Sequence, residues 1–355
     1  MIGRGIDQIL SDPCPPELHE DYAPSAMNYV EFAEHVSGRI QTPVGLDYVW
    51  GDALDRLRDS RPDARIVNLE TSVTRSEAYE PKGINYRVSP ANAQCLQVAE
   101  IDCCTLANNH VLDWGRAGLL ETLDALDRMG IKTAGAGRNL DDARRPAILD
   151  VPGKGRVIVI GFALPSSGVP PRWAATANLP GLSLLPDLSD ESVELACEIL
   201  KNASTSGNVS VVSIHWGPNW GYEIADDQRR FAHRMIDAGV SVIHGHSSHH
   251  PKAIEVYRNR LILYGCGDFL NDYEGIEGYE EYRDDLSLMY FADVEAASGD
   301  LAALELAPMR IRRFRLEEAV RRDVDWLACR LRRQSAPFGV SIQKTATATL
   351  KVGWG

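Results

Sequence analysis

Four histidines, His244, His246, His249 and His250, fall within seven residues of the stretch 241–272, SVIHGHSSHHPKAIEVYRNRLILYGCGDFLND. Imidazole nitrogen ligates first-row transition metals and carries protons near neutral pH. A lone histidine reads as a surface or core residue. Four of them beside Gly245, directly after the apolar run Val240–Ile243, read as a metal site. A second apolar run, Leu261–Tyr264, leads to Gly-Cys-Gly-Asp268. Other chemistry-bearing residues stand in the same kind of place. Glu70 closes the run RIVNLE. Asn109 and His110 follow DCCTL, and Asp113 comes three residues after His110, a spacing that lets its carboxylate orient the imidazole. His215 ends NVSVVSIH. Lys82 and Arg87, in the loop 74–90, offer cations to an anionic ligand.

Polar residues recurring at strand ends belong to an α/β fold, whose ligands bind outside the carboxyl ends of the strands. Apolar periodicity predicts helices over 47–58, 92–99, 116–129, 190–204, 226–237 and 317–332, with Ser189 capping the fourth. Strands are expected over 65–70, 102–106, 156–161, 208–214, 240–243 and 261–264, with antiparallel strands over 286–294 and 301–316. Residues 11–45 and 164–187, rich in proline, read as long irregular loops that shape a pocket. The tail 341–355 alternates like an edge strand. Gly135-Ala-Gly137 lacks the third glycine of a dinucleotide site. Arg310, Arg312 and Arg313 receive no role.

The 355 residues carry a net charge of −13, which argues against a nucleic-acid partner. Seven cysteines without paired spacing argue for a reducing compartment rather than a disulfide scaffold. With no apolar run long enough to span a membrane and no signal peptide, the chain reads as cytoplasmic, an anchor upstream of residue 1 being left open.

The segments NLETS (68–72), LANNHVLDWG (106–115), HWG (215–217), GHSSHH (245–250) and LILYGCGDF (261–269), in this order, resemble the CapA/PgsA family of poly-γ-glutamate and capsule-synthesis proteins. That resemblance implies a calcineurin-like metallophosphoesterase fold, a four-layer α/β/β/α sandwich with two metals at the strand ends. By position it implies Glu70, Asn109, His215, His246 and His249 as metal ligands and His110 as acid or oxyanion partner. The sequence departs from the family pattern in four places. The family's first strand ends in a Gly-Asp ligand that would lie upstream of Met1. Asn219 stands where the family commonly has Glu. Ser247-Ser248 replace His-Pro, with His244 as an additional candidate ligand; Asp268 also stands where Asn is usual. A single domain is expected over 1–316, with 317–355 as a helix-and-strand extension packed on it.

Imidazole, carboxylate and amide oxygen together suit Mn, Fe or Zn rather than Ca. Two such divalent ions would activate a water, His110 with Asp113 would serve the leaving group, and Arg4, Lys82 and Arg87 would hold a carboxylate or phosphate. The expected activity is hydrolysis of a phosphoester or of a glutamyl-type amide in a small molecule, peptide or polyglutamate-type polymer. The competing expectations are a non-catalytic module in a synthesis or export complex, and a soluble relative with a small-molecule substrate.

Overall fold

The computed structural model describes residues 1–203 and 207–355. A six-stranded sheet is built on three parallel neighbours, Gly155–Ala163, Asn208–His215 and Val242–His246, continued by Arg260–Leu263 and flanked by antiparallel Ala147–Val151 and Ile254–Tyr257. The near-continuous apolar runs VIVI and VVSI reflect burial on both faces. Ile158, Ile160, Val212 and Ile214 pack outward against the helices Asp190–Ala203 and Asp226–Asp237. These helices turn Val193, Ala196 and Leu200, and Phe231, Met235 and Ile236, toward the sheet. Both begin with paired acids, which the amino-terminal helix dipole favours.

The opposite faces of these strands, through Val159, Val211 and Val242, enter a second core. Across it lie a parallel three-stranded sheet, Ile66–Asn68, Cys103–Thr105 and Lys132–Ala134, and an antiparallel five-stranded one, Leu286–Val294, Leu301–Arg312, Arg315–Glu318, Leu350–Trp354 and Val340–Lys344. The period of two is visible in adjacent residues: Cys103 faces the inter-sheet core, whereas Cys104 faces the layer holding helix Gly115–Arg128. The order is therefore α/β/β/α. At one point the sheets touch backbone to backbone. A Cβ placed on Gly161 would stand 2.9 Å from Gly135 Cα and 3.0 Å from Ala134 O. Nearby, the Ser213 hydroxyl donates across the same seam to Thr105 Oγ1 at 3.0 Å.

Several expected elements are corrected. Residues 11–45 are not wholly irregular: Ala26–Ser37 is a helix, capped by the Ser25 hydroxyl and burying Tyr29, Val30 and Ala33. The stretch 92–99 divides into a tight turn, Asn92–Gln94, and one helical turn, Cys95–Val98. The helix expected from 317 begins at Arg321, because Arg315–Glu318 pairs with Leu301–Arg312. The tail forms two strands, Leu350–Trp354 inside the sheet and Val340–Lys344 at its edge. The helix expected to end at Ser204 is described to Ala203, Ser204 lying outside the described residues. Among the described residues no helix is long and apolar enough to cross a membrane.

Candidate active site

The parallel strands of both inner sheets end at the same edge, and the chemistry-bearing side chains collect there. After Cys103–Thr105 the chain turns sharply around Asn108, whose Oδ1 accepts the N–H groups of His110 and Val111, both at 3.0 Å. Its Nδ2 donates to Leu69 O at 2.9 Å and Asn68 Oδ1 at 3.0 Å. Asn68 in turn donates to Glu70 Oε2 at 2.8 Å. These two asparagines, unassigned in the sequence, fix Glu70 and His110; the readable signal was an Asx residue at or shortly past the end of a strand. His110 Nδ1 lies 2.7 Å from Asp113 Oδ2, which also accepts Tyr86 N–H at 2.6 Å. Lys82 Nζ sits 2.6 Å from Asp113 Oδ1 and 3.2 Å from His110 Nδ1, and it donates to the Asn109 carbonyl. Burial lowers the His110 imidazole to about 4, so it is neutral at pH 7, with Nδ1–H directed at Asp113.

On the facing sheet, His215 and His246 are register partners on adjacent strands. Their Nδ1 atoms are 2.7 Å apart. Burial pushes both imidazoles well below the ordinary range, so one neutral ring donates to the other. His246 Nε2 lies 2.9 Å from Ser213 Oγ, which also stands 3.0 Å from His244 Nδ1. Both nitrogens of His246 are thus engaged within the sheet. His250 turns away among Tyr222, Trp220 and Tyr282, with Nδ1 toward its neighbour's carbonyl, Pro251 O, at 3.3 Å. His249 faces the site, its Nδ1 3.1 Å from each oxygen of Asp268. Burial alone would lower this imidazole, but the Asp268 charge and hydrogen bond raise it above its ordinary value, and His249 reciprocally lowers the Asp268 carboxyl against the effect of burial.

The two halves meet at His215 Nε2, 3.2 Å from Asn109 Oδ1 and 3.9 Å from Glu70 Oε1. Ligands about 2.1 Å from a common ion stand roughly 3–4 Å apart, and His215 Nε2 stands at that spacing from each of the two oxygens. Among the described residues no group of three or more His, Cys, Asp or Glu is gathered for a metal; this set closes only through the Asn109 amide. Among the described residues Glu70 is buried with a single amide donor, and burial raises its carboxyl to about 7. A divalent cation would supply the charge this carboxylate lacks.

Arg4 and Arg87 are engaged elsewhere. Every nitrogen of the Arg4 guanidinium is bonded to Asp272, Glu20 or Tyr29. The group lies over the Tyr86 ring, whose edge meets His110. Arg4 thus sits one aromatic layer below the site. Arg87 donates to the Ser76 and Pro15 carbonyls over the Trp114 ring. Asn219 offers its carbonyl to His249 N–H at 3.0 Å rather than a side chain to the site.

Residues 1–273 match the family model described as bacterial capsule synthesis protein PGA_cap. The chain belongs to this family. The chain is similar to the "Probable polyglutamine synthesis accessory protein" of Mycobacterium tuberculosis, 45% identical over 345 residues, covering 96% of this chain and 90% of that protein. The PGA biosynthesis protein CapA of Bacillus subtilis is 29% identical over 225 residues, covering 63% of this chain and 56% of that one. A 5'-nucleotidase precursor from Thermus thermophilus is a loose structural likeness, with a TM-score of 0.45, 17% identity, and 78% of this chain and 52% of that one covered. The PGA_cap match holds Glu70, Asn109, His110, Asp113, His215, His249 and Asp268, and stops before the five-stranded sheet.

Proposed function

We propose that this chain is a CapA-like component of capsule or poly-γ-glutamate-type polymer synthesis, acting as a metal-dependent hydrolase on a phosphoester or a glutamyl-type amide. The observation that carries this reading is the approach of Asn109 Oδ1 and Glu70 Oε1 to His215 Nε2, at 3.2 and 3.9 Å, beside the hydrogen-bonded His110–Asp113 pair. Glu70, Asn109 and His215 would hold one divalent ion of the Mn, Fe or Zn class; His249 and Asp268 would supply donors for a second. Such ions polarise the scissile group and generate a nucleophile from water.

The protein's own groups account for the rest. Asp113 fixes the His110 tautomer with the proton on Nδ1, so Nε2 presents an unprotonated lone pair at neutral pH. Lys82 neutralises the buried Asp113 carboxylate and ties the Asn109 backbone to it, so that Asn109 and His110 move as one unit. Ser213 fixes His246, and His246 fixes the ring plane of His215.

The test is metal content per chain by elemental mass spectrometry, paired with turnover of p-nitrophenyl phosphate and γ-glutamyl-p-nitroanilide. About two ions per chain, turnover lost in His215→Ala, and metal lost in Glu70→Gln are expected. A folded protein that binds no added Mn, Fe or Zn and turns over neither substrate would refute the reading. The second reading is a non-catalytic module in a synthesis complex. It is favoured by the name "accessory protein" borne by the mycobacterial relative. It predicts capture of a polymer or synthesis enzyme by metal-free protein.

A further inference from the structure

A cavity of about 390 Å³ lies apart from the histidines and shares no residue with them. Its walls are the segment after helix Ala26–Ser37, with Arg39, Ile40, Val44 and Tyr48, and the turn carrying Arg313 and Arg315. Three arginines around one cavity are unexpected in a chain of net charge −13. Acidic neighbours only partly satisfy them. Arg315 bonds Asp52 at 3.1 Å. Arg313 stands 3.5 Å from Glu317, longer than a charge-assisted hydrogen bond, and its Nε is buried without an acceptor. Arg39 is exposed and has no ion-pair or hydrogen-bond partner among the described residues.

The backbone adds an independent observation. Arg312 and Arg315 are paired across a two-residue turn, so Arg313 and Phe314 are its central residues, each with φ 56°. A turn with two left-handed residues favours Asn-Gly, and any larger side chain there is strained. Phe314 is anchored by complete burial and by its N–H donating to Glu274 Oε2 at 2.9 Å. The Arg313 carbonyl accepts the Tyr48 hydroxyl at 3.0 Å, a bond that any residue there could make, so it does not explain an arginine at 313, where asparagine would relax the turn. Its guanidinium instead lines the cavity.

We propose that this cavity binds a small organic anion bearing a carboxylate or phosphate. The oxyanion bridges Arg39 and Arg313, and its apolar body lies on Ile40 and Val44. The volume is in the range of small-molecule sites, and arginine forks suit both oxyanions. This inference is independent of the hydrolase reading.

The experiment is calorimetric titration of the full chain with glutarate and, separately, inorganic phosphate, at matched ionic strength. The variants are Arg39→Gln, Arg313→Asn and His215→Ala. Binding weakened at least tenfold by Arg39→Gln and by Arg313→Asn, and unchanged by His215→Ala, is expected. Arg313→Asn should also melt at a higher temperature than the wild type, which separates lost binding from lost folding. Binding of glutarate assigns a carboxylate; binding of phosphate alone assigns a phosphoryl group. No binding of either anion, or binding that persists in Arg39→Gln and disappears in His215→Ala, overturns the proposal.

Discussion

Replacing Asp113 by Asn changes one oxygen for an amide at the point where three groups converge. The carboxylate is fully buried and is approached by Tyr86 N–H at 2.6 Å, His110 Nδ1 at 2.7 Å and Lys82 Nζ at 2.6 Å. An asparagine oxygen in the Oδ2 place still accepts from the Tyr86 amide and from His110 Nδ1, which leaves the new amide N–H facing the Lys82 ammonium. The charge assistance of two interactions is lost, each worth about 1.5–3 kcal/mol. Because the Lys82 side chain is 21% exposed, water recovers part of its loss. The expected destabilisation is about 3 kcal/mol, the lower end of the range for breaking a buried pair. Urea denaturation at pH 7 measures it, and Lys82→Met completes the cycle. With no carboxylate opposite, removing the ammonium should cost about 1–2 kcal/mol less in the Asp113→Asn background than in the wild type. On the hydrolase reading, kcat should fall by roughly 10²–10⁴ as the imidazolium that forms on His110 loses the carboxylate charge beside it. A cycle that is additive within about 0.3 kcal/mol would refute the claim that Lys82 and Asp113 act as a unit.

Glu70, raised to about 7 by burial, is the opposite of a stabilising carboxylate. Its folded-state pKa lies above its unfolded value of 4.5, so stability is lost as pH rises between the two. In chelator-treated protein, Glu70→Gln should therefore be more stable than wild type at pH 8, by at most about 3 kcal/mol, and no more stable below pH 4.5. Unfolding midpoints at the two pH values decide the matter. The His249–Asp268 pair behaves differently. The raised imidazole contributes fully below its unfolded value of 6.5 and loses that contribution as pH rises through its folded value. The lowered carboxyl contributes fully above its unfolded value of 3.8 and loses it as pH falls through its folded value. Asp268→Asn should lower the melting temperature most between pH 3.8 and 6.5, and a pH-independent loss would contradict the pairing. Phe314→Ala empties a fully buried site against Gly5 and should cost about 3–5 kcal/mol by chemical denaturation; a loss under about 1 kcal/mol would mean the turn is not held by this ring.

The parts of the fold legible in the sequence were those written in local pattern. Runs such as VIVI and VVSI can be buried on both faces only within a covered sheet, and His215 and His246 follow because they occupy strand ends. The His110–Asp113 contact was readable from a three-residue spacing. The roles that escaped depend on distant partners. Arg4 reads as a free cation until Glu20 and Asp272 close on it, the latter 268 residues away. The contacts of His246 with Ser213 and His215, both on the neighbouring strand, are likewise written in no local pattern. The helix Ala26–Ser37 was hidden by its proline-rich flank, although Ser25 and Asn28 cap its start.

The glycine contact between the sheets has a consequence for how the site tolerates change. Asn109 rides on one sheet and His215 on the other, and at Gly135 and Gly161 the sheets meet with no side chain between them. Their separation is set there by the thickness of two backbones, a dimension that no core substitution elsewhere rescales. Repacking of the surrounding valines and leucines is absorbed as local adjustment, while the gauge between the two halves stays fixed. A single methyl at Gly161 acts as a spacer inserted in a caliper: a modest steric change at the seam becomes a misalignment of every donor pair that spans it.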